Sequence, residues 1–124
     1  MAPGIVFGLS ANLMMATRMA QSAKICYLAV HNFDHADALM ARMQQEKPLL
    51  IVMDWDTCEA EAFKVLKELR QNAEFKGVAT VGYLSARVKT PVREEAQRAG
   101  CHRVYTKTEF LRDIDLILAR YAKP

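Results

Sequence analysis

Leu49-Leu-Ile-Val-Met-Asp54-Trp-Asp56 is the stretch around which the rest of the chain is organised. Five apolar residues run without a break and end at an acid. A short, unalternating apolar run reads as a strand buried on both faces, as at the centre of a parallel sheet. Asp54 then stands at the carboxyl end of that strand. In open α/β sheets this is the edge at which ligands bind.

Upstream, Ile5-Val-Phe-Gly-Leu9 is a second apolar run, broken by Ser10-Ala-Asn12. Leu13 to Ala23 follows, rich in Met and Ala and free of Pro and Gly, which favours a helix. Met14, Met15 and Met19 read as a core stripe, because Met readily fills gaps between elements. Lys24 to Val30 is expected as a strand, with a turn at His31-Asn32. Asp34 is placed to cap a helix carrying Leu39, Met40 and Met43, which Pro48 ends.

Downstream, Asp56 and Glu59 have the spacing of a capping box. The helix they would open runs to about Asn72, with Phe63, Val65, Leu66 and Leu69 on its apolar face. Val78 to Leu84 reads as a strand ending at Ser85. Thr90-Pro91 starts a helix that Gly100 stops. Arg103 to Thr106 is a last strand ending at Lys107. Thr108 is expected to cap a final helix, with Leu111, Ile114, Ile117, Leu118 and Tyr121 on its apolar side.

The order is therefore strand–helix, five times over. It implies one α/β domain over residues 1–124, a parallel sheet between two helical layers with right-handed crossovers. Five units in this length fit the flavodoxin-like strand order 2-1-3-4-5, whereas a TIM barrel needs about twice the chain.

Composition narrows the function. The 124 residues carry a formal charge of +3, with Lys and Arg scattered. A nucleic-acid partner would call for a clustered basic face, and none is expected. No run approaches the ~20 apolar residues of a membrane span. Met1-Ala-Pro-Gly4 lacks the basic start of a signal peptide, so the expected location is the cytoplasm. Cys26, Cys58 and Cys101 form no C-x-x-C and read as free thiols of a reducing compartment. His31 and His35 lack an evident third ligand, and Cys101-His102 does not make a catalytic pair. The short, glycine-free Ser10-Ala-Asn-Leu13 argues against a flavin phosphate loop. No G-x-x-x-x-G-K-[ST] is present for a nucleotide. The chain is read as a non-enzyme without a cofactor.

The strand ends deliver Leu9, Ser10, Asp54, Ser85 and Lys107 to one edge. A carboxylate nucleophile, an ammonium that balances charge and a hydroxyl donor could together handle a phosphoryl group. Lys107 could also simply pair with Asp54.

Here the sequence resembles a family. Pro48-Leu-Leu-Ile-Val-Met-Asp54-Trp-Asp, Tyr83-Leu-Ser85-Ala86 and Ala99-Gly-Cys-His-Arg-Val-Tyr-Thr-Lys107 resemble, in order and spacing, the motifs of CheY-like receiver domains of two-component response regulators. The resemblance implies a three-layer receiver fold, with Asp54 as the phosphoacceptor-like residue and Ser85 and Lys107 as the phosphoryl-site-like ones. It also exposes departures. Leu9 and Ser10 stand where the family carries an acidic pair that binds Mg²⁺. A leucine supplies no oxygen and a serine only a neutral one. Phosphoryl transfer to a carboxylate relies on that metal. Thr108 replaces the family's proline, and Val104 stands at its switch aromatic, with Tyr105 adjacent. Asp56 is read as a helix cap rather than a substitute ligand.

The expectation is a degenerate pseudo-receiver with no metal site, independent of phosphorylation and acting by protein–protein contact. The alternative is a working response regulator phosphorylated at Asp54 with Mg²⁺. The resemblance implies a signalling partner, a histidine kinase or an output protein. It also implies docking or homodimerisation through helix 4, strand 5 and helix 5, here roughly Thr90 to Tyr121.

Overall fold

Every residue of Leu50–Asp54 is buried, as its unalternating apolar run requires. The computed structural model describes residues 4–85 and 90–121, with the Thr90 side chain left aside. Met1 to Pro3, Ala86 of the strand-four motif and the loop that follows it lie outside the described residues. The elements are β1 (Gly4–Leu9), α1 (Leu13–Ile25), β2 (Leu28–Phe33), α2 (Ala36–Met43), β3 (Leu50–Asp54), α3 (Glu59–Gln71), a 3₁₀ turn (Ala73–Phe75), β4 (Ala79–Leu84), α4 (Thr90–Arg98), β5 (Arg103–Thr106) and α5 (Lys107–Tyr121). The sheet is parallel, in the expected order β2-β1-β3-β4-β5.

Alternation along the strands divides the core in two. Phe7, Leu9, Ile51 and Met53 meet Leu39 and Met43 of α2 and Val65 and Leu66 of α3. Val6, Leu50, Val52, Val81 and Tyr83 meet Met15 and Met19 of α1 and Phe110 and Ile114 of α5. Each such side chain contributes roughly 1.5–3 kcal/mol by leaving water. The same alternation sends Leu9 to the α2–α3 side and Asp54 to the α1–α5 side.

Several local expectations are corrected. Lys24 and Ile25 continue α1 rather than opening a strand. The chain turns through Tyr27, whose φ of 58° is left-handed, so β2 starts at Leu28 and includes His31 and Asn32. His31 belongs there because its ring packs edge-on against Phe7. Of the methionine stripe, Met15 and Met19 are buried but Met14 is exposed. Asp34 does not cap α2. His35 holds the cap position and makes no side-chain cap bond. The first amide, Ala36 N, instead donates to Glu61 Oε1 of α3 at 2.8 Å.

Asp56 and Glu59 form no box either, since Cys58 is the N-cap residue of α3. A capping box does form at α5, two residues before the expected Thr108. Glu109 N donates to Thr106 Oγ1 at 3.1 Å, and Thr106 N donates to Glu109 Oε1 at 2.9 Å. α5 therefore begins at Lys107, directly on the end of β5.

The Thr106 amide, then its hydroxyl, holds the Glu109 carboxyl below the usual glutamate range. A carboxylate lowered in the folded state stabilises fully above its unfolded value of about 4.3. That stabilisation is lost as pH falls through the folded value. An NMR titration of the Thr106 amide is expected to be flat above about pH 5 and to show a midpoint below 4.3. A midpoint above that value would show the box to be absent in solution.

Candidate functional site

Asp54 is 1% exposed. Its backbone carbonyl accepts from Cys58 N at 2.9 Å as the chain turns toward α3. The turn folds two amides back onto the side chain. Asp56 N donates to Oδ1 at 3.0 Å and Thr57 N at 3.2 Å, an arrangement aspartate favours at turns. The other oxygen faces β1. Leu9 is in register with Met53, so the next residue, Ser10, comes opposite Asp54. Ser10 Oγ donates to Asp54 Oδ2 at 2.7 Å.

Ser10 is itself fixed from three sides. Its hydroxyl accepts from Asn12 N at 3.0 Å, its carbonyl accepts from Asn32 Nδ2 at 3.0 Å, and its amide donates to Phe33 O at 2.9 Å. Asn12 Oδ1 then caps α1 by accepting from Met14 N and Met15 N. Ala11 N donates to Thr57 Oγ1 at 3.1 Å, which ties the loop after β1 to the loop after β3.

Tyr83 closes the remaining side. It is in register with Asp54 across β3 and β4, and its hydroxyl lies beside both Asp54 and Ser10. Burial first, and the Asp54 charge second, push its phenol far above the ordinary tyrosine value. Phe110 covers its ring at a centroid distance of 4.8 Å. Tyr83 was quoted in a motif but not singled out as a site residue. The available signal was its position two residues before Ser85, on the same face of the strand.

The other edge residues do not converge on Asp54. Ser85 donates through Oγ and N to the two oxygens of Asp56, at 2.8 and 3.0 Å. Asp56 is thus a clamp on the end of β4, not a helix cap. Leu9 is wholly buried in the opposite half of the core. Lys107, in the first turn of α5, makes no ion pair with Asp54 among the described residues. It lines a groove of about 690 Å³ against α1, with Asn12, Met14, Arg18 and Leu111. Val104 is buried on the α2–α3 side, and Tyr105 faces Phe110 on the other. His31 in β2 and His35 at the start of α2 do not share a helix face. Among the described residues no group of three His, Cys, Asp or Glu could hold a metal ion.

Beside the site, Trp55 is completely buried against Phe63, with ring centroids 4.8 Å apart. Its indole N–H lies beside the Cys101 thiol, which burial pushes up to about 11. His102, next in sequence, is structural. Its Nδ1 accepts from Thr80 N at 2.9 Å, and its own amide donates to Thr80 O at 2.9 Å, setting the register of β5 on β4.

No protein-family model and no curated protein matches the sequence. Solved structures do. A response regulator from Hahella chejuensis matches with a TM-score of 0.82 at 19% identity, covering 95% of this chain and 94% of that one. The Mn²⁺-bound form of response regulator Rcp1 gives 0.79 at 16% identity, with 98% and 96% covered. The receiver domain of sensor histidine kinase PA1611 from Pseudomonas aeruginosa PAO1 also gives 0.79 at 16%, with 98% of each chain covered. That crystal structure has magnesium coordinated in its active-site cleft. The fold is that of response-regulator receiver domains.

Proposed function

We propose that this chain, which folds as a receiver domain, is a signalling module of the two-component type that works through a protein partner without phosphorylation of Asp54. It is a cytoplasmic binding module, not an enzyme. One observation carries the reading. The phosphoacceptor-like carboxylate, Asp54, is 1% exposed, with its oxygens bonded by Ser10 Oγ, Asp56 N and Thr57 N. A nucleophile needs an open approach, and a carboxylate this buried offers none.

The donor set also does not suit a divalent cation. A hard ion takes several oxygens, carboxylates among them. Leu9 turns into the core, the Ser10 hydroxyl already gives its proton to Asp54, and Asp56 is bound to Ser85. Rcp1 and the PA1611 domain hold Mn²⁺ and Mg²⁺. This chain is read as a receiver fold whose metal-binding half is gone. Lys107 lines the groove against α1 and makes no ion pair with Asp54 among the described residues. Three free cysteines, two of them buried, support a reducing compartment. Among the described residues no helix is long and apolar enough to cross a membrane. Contact with a histidine kinase, an output protein or a second copy is assigned to the face made by α4, β5 and α5.

The test is intact mass after incubation with acetyl phosphate and Mg²⁺, with Asp54→Asn beside the wild type. No Asp54-dependent gain of a phosphoryl group is expected. A gain in the wild type that Asp54→Asn abolishes would make the chain a phosphorylated response regulator, the alternative raised by its motifs. The Asn variant is further expected to fold and to retain activity, because its amide can keep the turn bonds. Loss of activity in a folded variant would refute phosphorylation independence.

A further inference from the structure

The outer face of α5 and β5 holds a cleft of about 340 Å³ lined by Arg103, Tyr105, Asp113, Leu116, Ile117 and Arg120. Arg103, from β5, places its guanidinium 5.0 Å from the centroid of the Tyr105 ring. Arg120, from the last turn of α5, also acts on the Tyr105 phenol. Burial, then the Tyr121 hydroxyl, raise that phenol to about 12, and the two arginines draw it down. Two cations from different elements therefore converge on one aromatic ring.

Neither arginine makes an ion pair among the described residues. The one acid in the lining, Asp113, is taken by Arg112, whose Nη2 donates to Oδ2 at 2.8 Å and Nε to Oδ1 at 3.2 Å. Asp113 is also where α5 departs from helical geometry. At the lip, Leu116 is 70% exposed, one of the few large apolar side chains so open to solvent. Among the described residues the cleft thus has a positive end without an ion pair and an apolar end.

We propose that this cleft receives an acidic side chain of a protein partner, gripped by Arg103 and Arg120, with a neighbouring apolar side chain of the partner covering Leu116 and Ile117. The inference rests on the docking reading above and gives that face its chemistry. Guanidinium forks match carboxylate geometry, and stacking on Tyr105 pre-orients one of them. Arginine and tyrosine beside an apolar floor are the residue types that dominate binding energy at interfaces. Charge complementarity selects an acid. The apolar lip and the adjacent Asp113 favour a peptide segment over a polyanion such as nucleic acid, which would require an extended basic face.

The experiment uses the full chain. A phage-displayed peptide library is selected against it, and enriched peptides are measured by fluorescence anisotropy and mapped by amide shifts. Expected are peptides with Asp or Glu next to a large apolar residue, shifting Arg103, Tyr105, Leu116 and Arg120. Arg120→Ala and Arg103→Gln, which keeps a side chain over Tyr105, should each weaken binding about tenfold or more. Arg18→Ala on α1 should change nothing, and melting temperatures report that the variants fold. Peptides that map to this face but ignore both arginines overturn the acid cleft and leave the docking reading standing. Peptides that map elsewhere, or no enrichment at all, overturn both. A dimer in sedimentation that the double variant Arg103→Glu, Arg120→Glu converts to monomer would make a second copy the occupant and overturn the partner proposed.

Discussion

Gly82→Ala is expected to destabilise the protein by about 3 kcal/mol, the upper part of the range for overpacking a core, and Gly82→Val to prevent folding. A methyl group on Gly82 would lie 2.6 Å from Trp55 Cδ1 and 3.0 Å from the Met53 carbonyl oxygen. The carbonyl belongs to the central strand and cannot give way. The indole cannot retreat, since Trp55 is wholly buried and wedged against Phe63. Urea denaturation checks this, with Trp55→Phe as the informative second variant. Combined with Gly82→Ala, the smaller ring should return part of the lost stability, a coupling that distant sites do not show. An unchanged urea midpoint for Gly82→Ala would mean that the Trp55–Gly82 contact is not as described.

The second large effect is at Asp54. Asp54→Ala is expected to cost about 3–5 kcal/mol, while Asp54→Asn costs about 1 or less. Alanine leaves the Ser10 hydroxyl and the Asp56 and Thr57 amides without their acceptor, and the Tyr83 hydroxyl without its neighbour. Each buried donor left unpaired costs roughly 1–3 kcal/mol, and partial solvation of the turn amides keeps the sum below the maximum. Asparagine retains an oxygen for the two amides. The comparison bears on function as well as folding. Residues kept for chemistry are commonly held at some cost to stability, and their removal is neutral or stabilising. A more stable Asp54→Ala would count for the phosphoacceptor alternative.

The architecture was legible because its signals are redundant. The β3 run, the strand–helix alternation and the chain length all lead to one five-stranded parallel sheet. The site was half legible. Ser10 and Asp54 meet because neighbouring strands end at the same height, which follows from strand order alone. Ser85 and Lys107 end their strands at that edge too, but sequence position does not say where a side chain goes afterwards. Asp56 captures Ser85, and the capping box at Thr106–Glu109 winds Lys107 into a helix. The first is a long-range bond between two strand ends and the second a local cap. Asp56 and Glu59 have the spacing of a box, yet the cap position falls at Cys58, which makes no side-chain cap bond. At α5 the spacing does choose, because Thr106 has Glu109 three residues on whereas Thr108 has Leu111. The α2 cap was illegible for another reason, because its acceptor, Glu61, comes from a different helix.

The wiring of Asp54 also has an evolutionary consequence. An aspartate that bonds Ser10 across the sheet and holds the turn before α3 is under purifying selection from folding alone. Drift can replace a residue at the exposed strand edge at little cost to folding, yet each loss of Asp54 itself would yield a chain less able to fold. Descendants of such a protein would keep the acid long after any chemistry had gone. In this lineage the persistence of that residue would record the architecture and not the reaction.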